Sequence, residues 1–314
     1  MRAARCTAVG GPVTVEEIPA PRDGGILVDV RFAAVNFADV LVIEGNYQVK
    51  AEVPFTPGSE FAGVVAESAH GFERGERVFG STFVGAFAER VAVGPAGLSR
   101  VPDGIPTERA AAFGVGHATA YDALRLVAGV RAGERVAVLG AAGGVGLAAV
   151  ELAPILGAEV VAVASTAAKR AACVEQGAHL ALPYENLKQG LRDAGGADVV
   201  IDPVGGPHAE QALRAMRWGG RYVSVGFAGG EIPRIPLNLP LLKGVTIHGF
   251  DLGGWARHHR DRLVAARKEL HALFADGKIH PRVHAVYPLA DVADALALGR
   301  GAIGKVLLEV ARGV

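Results

Sequence analysis

Through roughly the first hundred residues, apolar side chains come in short runs that Gly, Pro, Asp or Ser interrupt. Runs rich in Val, Phe and Ala at residues 3–9, 25–32, 63–67, 77–79 and 86–93 predict strands, because the intervening residues are turn formers. That spacing predicts a compact, mostly β unit. The texture changes near Ala110, where an Ala-rich stretch opening at Thr107 predicts a helix to about Ala128. Strand and helix patterns then alternate. Strands are expected over 135–140, 159–165, 198–201, 221–226 and 245–249, with helices over 144–156, 167–176 and 207–216. Alternation of this kind needs right-handed crossovers and predicts a parallel sheet. In the tail, 257–275 reads as one long amphipathic helix, followed by a strand (282–288), a helix (289–299) and a last strand (305–310). This piece is too small to stand alone and is expected to return to the first unit. The expected class is α/β, with residues 1–113 and 252–314 in one domain and 114–251 in a doubly wound, parallel-sheet domain.

Composition narrows the functional classes. Half of the 314 residues are hydrophobic and 20% are charged, which excludes a disordered chain. Lys and Arg together number 32, as do Asp and Glu, so the total charge gives no footprint for nucleic acid or an acidic membrane surface. The two cysteines, Cys6 and Cys173, are too distant in sequence for a CxxC pair or a four-cysteine zinc site, and a reduced compartment is the simpler reading. The uncharged stretch Val136–Val150 is broken by Gly and falls short of the ~18 apolar residues of a spanning helix. The N-terminus lacks an apolar run of signal-peptide length. The expectation is a soluble cytoplasmic protein with no nucleic-acid or membrane partner.

The most informative segment is RVAVLGAAGGVGLAAVELAPILGAEVVAVAS. A buried strand leads into Ala141-Ala142-Gly143-Gly144-Val145-Gly146, and a helix follows. A dinucleotide needs a tight turn, a residue without Cβ beneath the pyrophosphate, and a small residue where helix meets strand. Gly143 fits the second role and Gly146 the third, while Ala141 stands where the first Gly of GxGxxG usually sits. The helix N-terminus offers unpaired N–H groups to the phosphates. The alternative is a packing-driven Gly turn in another α/β fold. The second strand ends at Ser165-Thr166, followed by Lys169-Arg170. An acid is common there, about 20 residues after the turn, where NAD is preferred. Hydroxyls and cations instead favour a 2′-phosphate, and hence NADPH, unless the two cations are only an exposed helix turn.

An ordered set of motifs accompanies this turn: Val35-Asn36-Phe37-Ala38-Asp39 with Gly45-Asn46-Tyr47, Pro57-Gly58-Ser59-Glu60-Phe61-Ala62-Gly63, Gly85-Ala86-Phe87-Ala88-Glu89, Asp202-Pro203-Val204-Gly205-Gly206, Gly219-Gly220-Arg221, Gly226-Phe227-Ala228 and Gly304-Lys305-Val306. Over nearly its whole length the chain resembles the zinc-independent medium-chain dehydrogenases/reductases, in their quinone oxidoreductase (zeta-crystallin-like) branch. The resemblance implies a GroES-like β domain, an inserted Rossmann domain, a cofactor in the cleft between them, and a homodimer formed through the Rossmann sheets, with 245–249 as the candidate edge strand. Zinc-dependent relatives carry a His where this chain has Ser59 and a Cys near Asn36. With two distant cysteines and no acidic or thiolate partner spaced to His258, His259, His280 or His284, no metal is expected.

Without zinc, a carbonyl must be polarised by hydrogen bonds alone. That favours quinones and α,β-unsaturated carbonyls, whose product anions are delocalised. The resemblance places Asn36, Asp39 and Tyr47 near nicotinamide and substrate. Tyr47 is the candidate donor to a developing oxyanion, Asn36 an orienting group for substrate or cofactor, and Asp39 an orienter behind them. A turn or cap is the alternative for Asn36 and Asp39, and a loop tyrosine for Tyr47. Ala142, Gly143, Gly144, Val145, Gly146, Ser165, Thr166, Lys169, Val204 and Gly226 are further cofactor candidates, and the resemblance adds Thr119, Tyr184, Phe227 and Asn238, with core packing the alternative for Tyr184 and Phe227. His117 reads as a packing histidine rather than a proton donor, and Lys305 as an exposed lysine at a strand start. Pro154 should bend the last turn of its helix. The leading expectation is an NADPH-dependent quinone oxidoreductase acting without zinc. An enoyl-thioester or enone reductase, or a non-catalytic NADPH-binding sensor or structural protein, remain the alternatives.

Overall fold

The chain begins with a hairpin in which β1 (Arg2–Cys6) and β2 (Val13–Glu17) pair antiparallel. The computed structural model describes residues 1–21, 25–299 and 301–311. Next comes β3 (Ile26–Val35), whose inward positions change phase along its length. Ile26, Val28 and Val30 enter the unit's core on even numbers, then Ala33 and Val35 on odd ones, with Ala34 buried but outside that core cluster, because the register with β4 (Glu60–Val65) slips between Val30 and Phe32. One extra residue in a strand swaps the faces of all that follow, so the apolar pattern stays inward only with that bulge. Between β3 and β4 lies the short α1 (Phe37–Ile43). The unit is completed by β5 (Arg77–Ser81), β6 (Arg90–Val93), β7 (Leu98–Arg100) and α2 (Thr107–Ala111).

The chain passes into the second unit within α3 (Gly114–Asp122), which widens into a π turn over Ala123–Val127. The helix expected over 107–128 is therefore broken: Ala112 and Phe113 separate α2 from α3 and are themselves buried. The alternating part follows as β8 (Arg135–Leu139), α4 (Gly144–Ile155), β9 (Glu159–Val163), α5 (Ala167–Glu175), β10 (Leu180–Leu182), α6 (Leu187–Asp193), β11 (Ala197–Asp202), α7 (His208–Ala215), β12 (Met216–Ser224), α8 (Asn238–Lys243) and β13 (Thr246–Gly249). Among the described residues these strands form a six-stranded parallel sheet in the order β10-β9-β8-β11-β12-β13. Winding reverses between β8 and β11, and ligands of such sheets bind beyond the strand ends at that switch point. The residues 136–139, 160–163 and 199–201 are almost wholly inaccessible, as expected for strands buried on both faces.

Two helices, α9 (Leu252–His258) and α10 (Arg260–Ala275), replace the single one expected over 257–275. Non-helical His259 divides them, its ring 4.3 Å from that of Trp255. The chain then supplies β14 (Val283–Pro288), α11 (Val292–Leu298) and β15 (Lys305–Glu309). β15 pairs antiparallel with β3, so this part of the tail rejoins the first unit's seven-stranded sheet, counted among the described residues. The two compact units are Met1–Val115 with His280–Val314, and Gly116–Ile279. Residues 252–279, expected with the first domain, thus belong to the second. Physically, α10 buries Leu263, Ala266, Leu270 and Phe274, pairs Arg267 with Asp122, and accepts the Tyr121 hydroxyl on Glu269 at 2.6 Å. Residues 312–314 of the expected first domain lie outside the described residues. No described helix is long and apolar enough to cross a membrane.

Candidate active site

In the first unit the end of β3, the start of β4 and the start of β15 converge on Asn36. Asn36 caps α1, and its backbone N–H donates to Asp39 Oδ2 at 2.8 Å, half of a capping box. Ser59 donates to the other Asp39 oxygen at 2.7 Å. Asp39 is only 3% exposed, and this burial pushes its pKa up to about 6 against the opposing effect of those two hydrogen bonds. Both Asp39 oxygens are thus engaged, one of them in the cap of α1, the arrangement given above as the alternative for Asn36 and Asp39.

Lys305 is where sequence reasoning erred. It is not an exposed strand-start lysine but 5% exposed, with Nζ donating to Asn36 Oδ1 at 2.6 Å and to Glu60 Oε2 at 2.8 Å. Glu60, 1% exposed, also accepts Asn36 Nδ2 at 3.1 Å and the Val115 N–H at 2.8 Å. Ser59 and Glu60, read from the sequence only as part of a family motif and given no role of their own, join this cluster. The available signal was that Glu60 opens the apolar run Glu60-Phe61-Ala62-Gly63-Val64-Val65 and Lys305 opens Lys305-Val306-Leu307-Leu308. Charges of opposite sign at the heads of two buried strands call for one another. Tyr47 is half-buried in the loop after α1, its ring centroid 6.5 Å from that of Phe83.

In the second unit the glycine turn follows β8. Gly140, one residue before Ala141, takes the left-handed φ of +57°, so the tight turn lies just outside the AxGxxG motif. A Cβ on Gly146 would sit 2.2 Å from the Gly140 oxygen, which only glycine avoids. Gly143 is the N-cap of α4 and provides no side-chain cap. The first-turn N–H groups, including those of Val145 and Gly146, are thus not capped by that residue. These features fit a pyrophosphate: close backbone approach, a free helix start and a positive dipole end. Pro154 lies in the last turn of α4, remote from that end.

Two of the other candidates, Tyr184 and Val204, touch this turn. The Tyr184 hydroxyl accepts the Gly140 N–H at 2.8 Å, its ring lies 4.3 Å from that of His208, and burial raises its pKa. Val204 packs on Gly140, where a Cβ would meet its Cγ2 at 2.4 Å. Buried Asp202, not foreseen, holds the loop by accepting the N–H groups of Val204 and Gly205 at 2.8 and 2.9 Å and by bonding the Tyr222 hydroxyl. Phe227 lies against Gly205, and Gly226 precedes it beyond the end of β12. Asn238 is exposed at the start of α8.

At the end of β9, Ser165 and Thr166 are exposed, and Thr166 caps α5 by accepting the Lys169 N–H at 3.2 Å. Arg170 donates to the Ala164 and Ser165 carbonyls, both at 3.2 Å. Thr119 is buried in α3. His117, 4% exposed, lies 3.0 Å from Glu151 of α4. Among the described residues, no cluster of three or more His, Cys, Asp or Glu has a metal-holding arrangement.

Comparison with known proteins agrees with this layout. Residues 22–103 match the family model of the alcohol dehydrogenase GroES-like domain, and residues 144–267 that of the zinc-binding dehydrogenases. Quinone oxidoreductase-like protein 2 of Mus musculus is 38% identical over 328 residues, covering 98% of this chain and 92% of that protein. The quinone oxidoreductase of Homo sapiens is 32% identical over 326 residues, covering 98% and 97%. Among solved structures, the quinone oxidoreductase of Thermus thermophilus, also described in complex with NADPH, superposes with a TM-score of 0.86 at 32% identity, covering 99% of this chain and 100% of that one. The Escherichia coli quinone oxidoreductase complexed with NADPH gives 0.89 at 28% identity, with the same coverage.

Proposed function

We propose that this chain, which belongs to the quinone oxidoreductase family of the medium-chain dehydrogenases/reductases, is an NADPH-dependent oxidoreductase that passes hydride to a quinone without a catalytic zinc. The observation that carries the reading is the end of β9. Ser165 and Thr166 stand exposed where a carboxylate would repel a 2′-phosphate, with Lys169 and Arg170 on the adjoining turn. The Thr166 oxygen already accepts a hydrogen bond, so its own O–H remains to donate. The glycine turn and the start of α4 would hold the pyrophosphate, with Tyr184, Val204, Gly226 and Phe227 shaping the same side and Thr119 and Asn238 completing the cofactor set.

Bound NADPH supplies the hydride from its nicotinamide ring. Hydride addition to a quinone gives the hydroquinone monoanion, and one proton completes the product. Tyr47 is assigned to donate a hydrogen bond or that proton to the developing oxyanion. Zinc is disfavoured by the chemistry of the groups where zinc-dependent relatives keep ligands. Asn36 and Ser59 are an amide and a hydroxyl, and the Lys305 ammonium lies 2.6 Å from Asn36, a like charge to any metal cation there. We also infer a homodimer, formed at the free edge of the second unit's sheet.

The deciding experiment follows loss of reduced-nicotinamide absorbance with NADPH and NADH, a benzoquinone, a polycyclic quinone, an enone and an enoyl-CoA, with and without chelator. Chelator-insensitive, NADPH-preferring quinone turnover is expected. Turnover confined to the enone or enoyl-CoA would instead make the chain a reductase of activated alkenes. NADPH binding without turnover on any acceptor would remove the enzymatic reading.

A further inference from the structure

The Asn36 carboxamide has two ends of nearly equal size, and its neighbours decide which end goes where. An ammonium can only donate hydrogen bonds and a carboxylate can only accept them. Lys305 Nζ is 2.6 Å from Oδ1, and Glu60 Oε2 is 3.1 Å from Nδ2. Rotating the amide by half a turn would set Nδ2 against the ammonium and Oδ1 against the carboxylate, two repulsive contacts where now there are two charge-assisted bonds. Ser59 enforces the same sense. Its O–H is committed to Asp39 Oδ1 at 2.7 Å, so its oxygen faces the second Asn36 N–H as an acceptor, at 3.4 Å. The Ala34 carbonyl, also at 3.4 Å, can likewise only accept.

We propose that Lys305 is a positioning residue: with Glu60 it locks the Asn36 amide so that both N–H groups point into the protein and the free lone pair of Oδ1 is what Asn36 presents to a bound ligand. Lys305 is 5% exposed and spends its charge on Asn36 and Glu60, so it acts through Asn36 rather than on the ligand. The group that meets Asn36 must then be a donor, such as a ribose hydroxyl or a carboxamide N–H of the cofactor. The oxyanion of a reduced acceptor finds no donor at Asn36. The ligand side of this inference rests on the functional reading above, whereas the lock on the amide does not.

The test joins side-chain amide NMR to kinetics. With the Asn36 Nδ2 resonances assigned through bonds in the wild-type protein, both protons should exchange slowly with water and stay protected when NADP⁺ is added. Rapid exchange, or loss of protection on adding NADP⁺, would overturn the proposal without recourse to any variant. Lys305→Met alone would leave Glu60 buried and unpaired and is expected to compromise folding. The informative variant is therefore Lys305→Gln with Glu60→Gln, which buries no net charge and offers Asn36 neighbours that can each donate or accept. It should keep a cooperative melt, exchange the Asn36 amide protons at least about tenfold faster, bind NADPH more weakly, and lose about tenfold in kcat/KM. A folded double variant with wild-type exchange, affinity and kinetics would sink the assignment. If the wild-type protein turns over no acceptor, the proposed function fails, and amide exchange still decides the role of Lys305.

Discussion

Asp39 carries its carboxyl in a place where ionisation is costly, and its pKa of about 6 lies above the ~3.9 of an unfolded aspartate. Between those values the folded protein holds a proton that the unfolded chain has released. Rising pH therefore removes stability through that window, and the penalty is complete above about pH 6. Asp39→Asn cannot ionise, so its melting temperature relative to wild type should climb from about pH 4 to about pH 7 and then level off. A flat difference would mean that Asp39 stays ionised throughout. A second prediction belongs to Ser165. Replacing this exposed hydroxyl by a carboxylate, Ser165→Asp, should weaken NADPH by about tenfold or more and leave NADH unchanged or improved, read from KM for each cofactor. Equal loss for both would place the 2′-phosphate elsewhere. The two residues differ in how far sequence alone reveals them. Ser165 is legible because the glycine turn fixes the distance to the second strand end. Lys305 is far less so, because its partners Asn36 and Glu60 lie 269 and 245 positions away, and a lysine at the head of an apolar run shows its burial only once Glu60, at the head of another, is set beside it.

Strands β8 and β9 and helix α4 lie close to where the apolar pattern puts them, because each is buried for most of its length and its period is unmixed. Among the elements the pattern misses are short or half-exposed ones: β2 of five residues, β7 and β10 of three residues each, α1 and α6 of seven, and α8 of six. Their form is set by a neighbour, as when the ladder with β9 defines β10. The assignment of 252–279 to the first domain fails for a related reason. Periodicity marks an apolar face but does not say what that face covers, and α10 covers α3. There Arg267 spans to Asp122, whose side chain is fully inaccessible, while Arg267 itself is 26% exposed. Removing the cation leaves a buried carboxylate without its counter-charge. Arg267→Met is expected to cost about 2–3 kcal/mol in chemical denaturation near neutral pH, the lower part of the range because Arg267 is partly solvated. The loss should shrink as pH falls, since Asp122, whose pKa burial already raises, can then enter the fold protonated. A loss of equal size at every pH would mean that Arg267 acts by packing alone.

At the scale of the whole molecule, the first unit is built from both ends of the chain and the second is continuous, so the sheet of the second unit forms without the distant termini. That sheet ends at β13, which pairs only with β12 among the described strands and so presents an unpaired edge. Around it the surface is unusually apolar. Trp218 is 82% exposed, Leu237 and Leu241 are 81% exposed, and Leu242 is 71% exposed. Free backbone groups along a strand beside large apolar side chains form a surface that a second copy can cover, and a two-fold axis would let the same patch serve both partners. The expectation is a dimer in light scattering coupled to size exclusion, persisting to about micromolar concentration. Leu241→Lys should shift the population toward monomer while leaving the far-ultraviolet spectrum unchanged, because that side chain is exposed within its own subunit and a charge there disturbs only the contact. A wild-type protein that runs as a monomer at every concentration would remove the dimer. A Leu241→Lys protein that stays dimeric would move the contact away from α8 and β13.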